Sequence, residues 1–421
     1  MEAKSLRTWP QIPLYLQIVI ALVLAIVAGI GLGAGQPSPE GITLSNNLAV
    51  PCNLILKALR ALATPLILLA VLHTFLTTNI PHRSSRRLAI LLLTNTMVAI
   101  LIGLLVANIL QPGAWSGNLI TPMGSSQVAG KPLDPWGLLQ DMVPSSVLQP
   151  MVDNNVLQLI FVALIFGVVF RALKAEQIAK EQLDYTGLER AIGVLLEAIV
   201  RILGWVIALI PIAVFGIVAK TIAQEGFTPF KTLGAFVIAV LIALSLQAVY
   251  YLVRVQLDSW VKPSYFLREG SDALLTAFST SSSTVTMPVT FRVLIEKIGL
   301  RESSASLGAI VGTNFNNDGT ALYEAMAALF ISQVLGLHLS LPQQFIVVIT
   351  SIFASVGAAG IPNAGLVTMT LVFTSVNLPT QYIALLITVD WFLDRCRTAI
   401  NVMGDMTVSA ILDGKERQDL E

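Results

Sequence analysis

Between residues 387 and 412 the chain reads ITVDWFLDRCRTAINVMGDMTVSAIL. Wound as a helix, this stretch stacks Asp390, Asp394, Arg397, Asn401 and Asp405 at steps of four, three, four and four along one face. Trp391, Phe392, Leu393, Ile400, Val402 and Met403 cover the remainder. A solvated helix has no use for so apolar a remainder. A lipid-facing helix could not carry three carboxylates and two guanidinium groups, because each charge at mid-bilayer costs about 2.5–3.5 kcal/mol. The polar stripe must therefore face a protein-lined or water-filled cavity and find partners there.

Composition puts that helix in a membrane. Of 421 residues, 55% are hydrophobic and 12% charged, with mean hydropathy +0.78, where soluble domains carry roughly 25% charged residues. A formal net charge of zero argues against a nucleic-acid partner. Cys52 and Cys396 supply neither a disulfide framework nor a metal cluster. The start, MEAKSLRTWP, leads into an apolar run with no small-residue cleavage site, which predicts an uncleaved first helix.

Six apolar runs follow in order, at about 12–34, 48–79, 88–111, 153–173, 188–222 and 231–257, each near the roughly 20 residues a span needs. Basic residues cluster at alternate ends: Lys4 and Arg7, then Arg83, Arg86 and Arg87, then Arg171, Lys174 and Lys180, then Arg254 and Lys262. Loops at 35–47, 112–150 and 223–230 hold few. By the positive-inside rule the N-terminus is cytoplasmic, and Lys415 and Arg417 return the C-terminus to the same side.

After residue 262 the pattern changes. Hydrophobic segments become short and are broken by polar residues. LLTAFSTSSSTVTMPVTFRVLIE (274–296) lacks the charge of a solvated linker and predicts a re-entrant hairpin, since irregular backbone survives at membrane depth only where it lines a cavity. GAIVGTNFNNDGTALYEAMAALFISQVL (308–335) carries Asn314, Asn316, Asn317, Asp318, Gly319 and Thr320 at its centre and predicts a span unwound in the middle. SIFASVGAAGIPNAGLVTMTLVF (351–373), bent at its glycines and Pro362, is a second hairpin candidate. Broken segments in two comparable units, 263–335 and 345–412, match the hydropathy of a secondary transporter built from inverted repeats.

Four motifs in order now carry a resemblance: SSSTVTMP (281–288), NNDGTALYEA (316–325), AAGIPNAGLVTM (358–369) and DWFLDRCRTAINVMGD (390–405). The chain resembles a prokaryotic-type member of the glutamate/aspartate transporter family, the dicarboxylate/amino acid:cation symporters, along nearly its whole length. The resemblance implies an all-α integral membrane protein with eight transmembrane helices, two re-entrant hairpins and inverted repeats. It further implies a homotrimer in the inner (plasma) membrane that works as an elevator. The scaffold would comprise approximately 10–80 and 140–225, and the mobile transport unit approximately 85–112 and 229–412.

By the same resemblance, Arg397 holds a substrate's side-chain carboxylate and Asp394 its α-ammonium, with Thr320, Thr398 and Asn401 as polar contacts. Ser282 and Ser283, with Gly360, Ile361, Pro362 and Gly365, offer groups to the α-carboxylate, and Arg395 supplies a supporting charge. Members for neutral amino acids lack the arginine, and members for C4-dicarboxylates lack the aspartate, so an acidic amino acid is the implied substrate. An internal Asp394–Arg397 salt bridge is the structural alternative, because i,i+3 is a permitted helical pair. Implied sodium ligands are Gly312, Asn316, Asn401 and Asp405; Asp318 with Asn95 and Thr96; and Ser355, Val356 and Ala358. Glu324 matches a glutamate that carries a proton in some members, though a plain buried, hydrogen-bonded acid fits the sequence as well.

The cation region departs from the family pattern. Asn317 replaces the methionine of an NMDGT box, Asn314 a threonine, and Leu92 a tyrosine. These changes leave open fewer sodium ions, or protons. Two other classes compete. An intramembrane aspartyl protease needs a GxGD-type loop, whereas Asp318 and Asp405 sit in NNDGT and MGDM. A pure channel is the second, since the family can conduct anions as a by-product; saturable exchange of substrate across vesicles would argue against a channel-only role.

Overall fold

The computed structural model describes residues 13–77, 82–115, 143–153, 155–357 and 364–416. The described residues are helical, joined by short turns. Helices α1 (Leu14–Gly31), α3 (Val50–Thr77), α4 (His82–Leu110), α5 (Val156–Ala179) and α8 (Thr228–Asp258) follow five of the six apolar runs. Among the described residues five helical stretches are long and apolar enough to cross a membrane. Their outward faces are apolar: Val27 is 66% exposed, Ile109 70% and Trp205 71%. Such surfaces belong in lipid or against another protein rather than in water.

Two elements differ from the sequence reading. The expected loop at 35–47 contains helix α2 (Pro39–Leu48). Ser38 starts it, its Oγ accepting the Gly41 N–H at 3.1 Å, and Pro39 occupies a helix-opening position. The fifth run, read as one span, is two helices, α6 (Tyr185–Ala208) and α7 (Ile210–Glu225), meeting at Leu209. Pro211 explains the break: it has no N–H to reach the preceding turn, and its ring crowds that turn's carbonyl.

Beyond Asp258 the chain builds the polar centre. Helix α9 (Pro263–Thr280) meets α10 (Ser283–Arg292) at Ser281, whose φ of 53° turns the backbone through the left-handed region. Ser282 N-caps α10 by accepting the Val285 N–H at 3.2 Å. A π-helical turn, Val293–Ile298, extends α10. Helix α11 (Glu302–Ser306) runs through a second π-helical turn, Leu307–Val311, into Gly312–Phe315. The helix then stops: Asn316 and Asn317 take φ, ψ of −103°, 61° and −96°, 51°. It restarts as α12 (Asp318–Val334), in which every residue from Asp318 to Ser332 is buried. So complete an enclosure requires partners on all sides.

Helices α13 (Leu341–Gly357) and α14 (Ala364–Ser375) pack on each other as the arms of the second candidate hairpin. Its tip, with Ala358, Gly360, Ile361 and Pro362, lies outside the described residues. So do the first twelve residues and 116–142. Helix α15 (Ile383–Asp413) lies against α8, α9 and α12. Around α1, α2, α3, α5, α6 and α7 runs a second set of close packings, dominated by α1 on α7 and by α3 on α5 and α6.

Candidate functional site

The charged stripe of α15 is buried throughout. Asp390, Asp394, Arg397, Asn401 and Asp405 are 1%, 7%, 0%, 4% and 1% exposed. Arg397 Nη2 lies 2.8 Å from Asp394 Oδ1 and 3.0 Å from Asp390 Oδ1. Both acids thus converge on one nitrogen. Nε and Nη1 have no hydrogen-bond partner among the described residues, a costly state for a buried cation unless something else receives them.

The Arg397 guanidinium sits over an aromatic face: its central carbon is 4.0 Å from the centroid of the Tyr323 ring. On another side stands Gly365 of α14. A methyl group there would sit 3.1 Å from Arg397 Nη1, so the glycine keeps open the space beside the free N–H. Asp390 and Tyr323 were not singled out as site residues from sequence. Asp390 had a signal, standing seven residues before Arg397 on the same face. Tyr323 had none, because its contact joins two distant segments.

Below the guanidinium the break between α11 and α12 is laced to α15. Asn401 Oδ1 accepts the Gly319 N–H at 2.8 Å, and its Nδ2 donates to Asn317 Oδ1 and Thr320 Oγ1 at 3.3 and 3.4 Å. Gly319 is obligatory here, since a Cβ would come within 2.7 Å of the Arg397 carbonyl oxygen. The Thr398 hydroxyl donates to the Asp394 carbonyl within its own helix at 2.8 Å.

Hard oxygen donors, which sodium prefers, gather one turn further on. Asn316 Nδ2 lies 3.1 Å from Asp405 Oδ1 and 3.4 Å from the Asn401 carbonyl, while its Oδ1 has no partner among the described residues. A Cβ on Gly312 would collide with the Asp405 carboxylate. An orphaned amide oxygen beside a carboxylate and a glycine-held cradle fits a small hard cation.

Asp318 is a weaker fit. Thr96 donates to one of its oxygens at 2.6 Å and Tyr251 donates to the other at 2.5 Å, so both are already satisfied. Asn95 lies apart from it, accepting from the Tyr250 hydroxyl at 3.4 Å. At Ser355 the carbonyl accepts the Asn317 amide at 2.9 Å. Val356 instead lines an apolar cavity of about 220 Å³ with Leu92, Thr96 and Phe315.

Three further expected residues are placed as follows. Glu324 is fully buried; Thr368 donates to one of its oxygens, and Oε2 has no partner among the described residues. Ser283 Oγ is buried and likewise without one. Arg395 leaves the stripe and donates to the carbonyls of Phe278 and Ser279 at 3.0 and 2.7 Å, tying the first hairpin turn to α15.

Helices broken at their centre, with charges enclosed in an apolar shell, define a multi-pass membrane protein of the transporter class. Residues 14–415 match the sodium:dicarboxylate symporter family, and the chain belongs to it. It is 43% identical over 233 residues to excitatory amino acid transporter 4 of Mus musculus, covering 53% of this chain and 41% of that protein. It is 41% identical over 233 residues to excitatory amino acid transporter 1 of Homo sapiens, covering 53% and 42%. For excitatory amino acid transporter 3 of Mus musculus the identity is 40% over 227 residues, covering 53% and 43%. The chain therefore matches about two fifths of the length of these relatives.

Proposed function

We propose that the chain is a secondary active symporter for an acidic amino acid, L-aspartate or L-glutamate, coupled to sodium. The observation that carries this reading is the buried Arg397 guanidinium, engaged by two acids at Nη2 while Nε and Nη1 lack partners among the described residues. A substrate carboxylate would recruit Nη1 with the Nη2 hydrogen that Asp394 gives up, since a planar fork favours a bidentate anion. Asp394, released from the arginine, would take the α-ammonium. Thr320, Thr398 and Asn401 would line the same pocket. Ser282 and Ser283 would close it from the first hairpin, and Gly360, Ile361, Pro362 and Gly365 from the second.

In this reading sodium is a co-substrate held by Asp405, Asn316, Asn401 and Gly312, with Asp318 and Thr96 as a further candidate site. Eight spans and two re-entrant hairpins would assemble as a homotrimer with both termini cytoplasmic. The unit comprising about 85–112 and 229–412 would move as an elevator against a scaffold of about 10–80 and 140–225. The apolar outer faces and the two sets of helix packings support that division.

One observation favours a second reading. Glu324, buried with one unpartnered oxygen, is a candidate proton carrier, which would make transport proton-coupled or sodium-independent. Transport of a neutral amino acid or C4-dicarboxylate is the remaining alternative within the family. Proteoliposome uptake of labelled L-aspartate, with sodium and proton gradients imposed separately and serine or succinate as competitors, tests all of these. Uptake driven by sodium and resistant to both competitors is expected. Uptake indifferent to sodium overturns sodium symport.

A further inference from the structure

Asn317 sits in the unwound segment between α11 and α12, and the structure gives its carboxamide a defined place. It is 2% exposed. Its Oδ1 accepts from Asn401 Nδ2 at 3.3 Å and its Nδ2 donates to the Ser355 carbonyl at 2.9 Å. One side chain therefore links α15, the unwound segment and α13.

The position of Ser355 gives the link its meaning. Helix α13 ends at Gly357, so Ser355 lies in its last turn, where carbonyls have no partner within the helix. Such carbonyls carry the negative end of the helix dipole and are suited to a cation. Here the Ser355 oxygen receives an amide N–H. A cation using that oxygen would have to share it with the positive end of the amide dipole, or displace the amide and leave a buried donor without a partner.

We propose that the Asn317 carboxamide stands in for a cation at the C-terminal end of α13, so that this arm closes on the unwound segment without an ion bound there. This deepens the sodium-coupled reading and rests on it only for the ion at Asp405, which the amide leaves untouched. The number of ions moved with each substrate is then one fewer than if Ser355 also ligated sodium.

Hydrogen exchange followed by mass spectrometry on the full purified chain, in sodium chloride or in choline chloride of equal ionic strength, tests the proposal without substrate. In the parent protein, exchange over 341–357 should be the same in both salts. In Asn317→Leu and Asn317→Asp, which lack the amide donor, that arm should exchange about tenfold faster in choline. Sodium should restore its protection by taking the vacated carbonyl. Sodium-dependent protection of the arm in the parent overturns the proposal, and that result needs no variant to fold. Sodium-independent protection in both variants overturns it too. Protection by sodium around Asn401 and Asp405 is a separate readout: its absence would count against the sodium site there, and leave the account of the arm standing.

Discussion

Arg397 sits over the ring of Tyr323, 4.0 Å from its centroid, although 74 positions separate the two residues in the chain. Tyr323 in turn tilts against Phe236, 5.8 Å between centroids, and Phe236 stacks on Phe330 at 4.4 Å. The buried Arg397 guanidinium is thus seated on an aromatic column reaching from α12 to α8.

Removing that seat should loosen the arginine without removing its charge. Tyr323→Leu keeps most of the volume and loses the ring face, worth about 1–2 kcal/mol to a desolvated cation. Aspartate affinity should fall about 5- to 30-fold with assembly intact, as read from a binding isotherm and from gel filtration. Unchanged affinity would show that the ring only fills space.

Gly319 and Gly312 fail in different ways. In Gly319→Ala the new methyl meets the Arg397 carbonyl and lies 3.1 Å from Asn401 Oδ1, so thermal stability should drop by about 1–3 kcal/mol. In Gly312→Ala the methyl meets the Asp405 carboxylate. The expected result is a loss of sodium-dependent stabilisation at nearly unchanged stability in choline, measured by thermal melts in the two salts.

The far end of α15 carries its own fastening. Asp413, 4% exposed, accepts from Trp260 Nε1 at 2.8 Å and from Arg301 N and Nε at 3.1 Å each. Arg87 and Arg301 also donate to the carbonyls of Ile411 and Asp413 at 2.9 and 2.7 Å. Asp413→Ala should leave these donors without a shared acceptor and cost about 1–3 kcal/mol. Aspartate affinity should remain near that of the parent, because the clamp lies at the last residue of α15, about 24 Å along the helix from Arg397. Equal melting curves for variant and parent would contradict this.

What the sequence disclosed follows from how each feature is encoded. The stripe from Asp390 to Asp405 was legible because five polar residues on one face of an apolar helix have no other physical outcome. The interruption at Asn316 and Asn317 was legible because those side chains compete with helical hydrogen bonding. The break at Leu209 was missed, although Pro211 signals it, because the run stays apolar on both sides. Helix α2 was missed because its residues are polar enough to pass for a loop. The Asn317–Ser355 bond and the Tyr323 seat were illegible for another reason: each joins segments whose proximity only the tertiary fold decides.

The central claim is that Arg397 receives the acidic side chain of the substrate. Its most direct test is an L-aspartate binding isotherm in sodium for the parent and for Arg397→Ala. The account predicts a loss of at least about a hundredfold, as expected when a charged hydrogen-bonding partner of a buried carboxylate is removed, with sodium-dependent stabilisation kept. Equal affinity in the two proteins would contradict it.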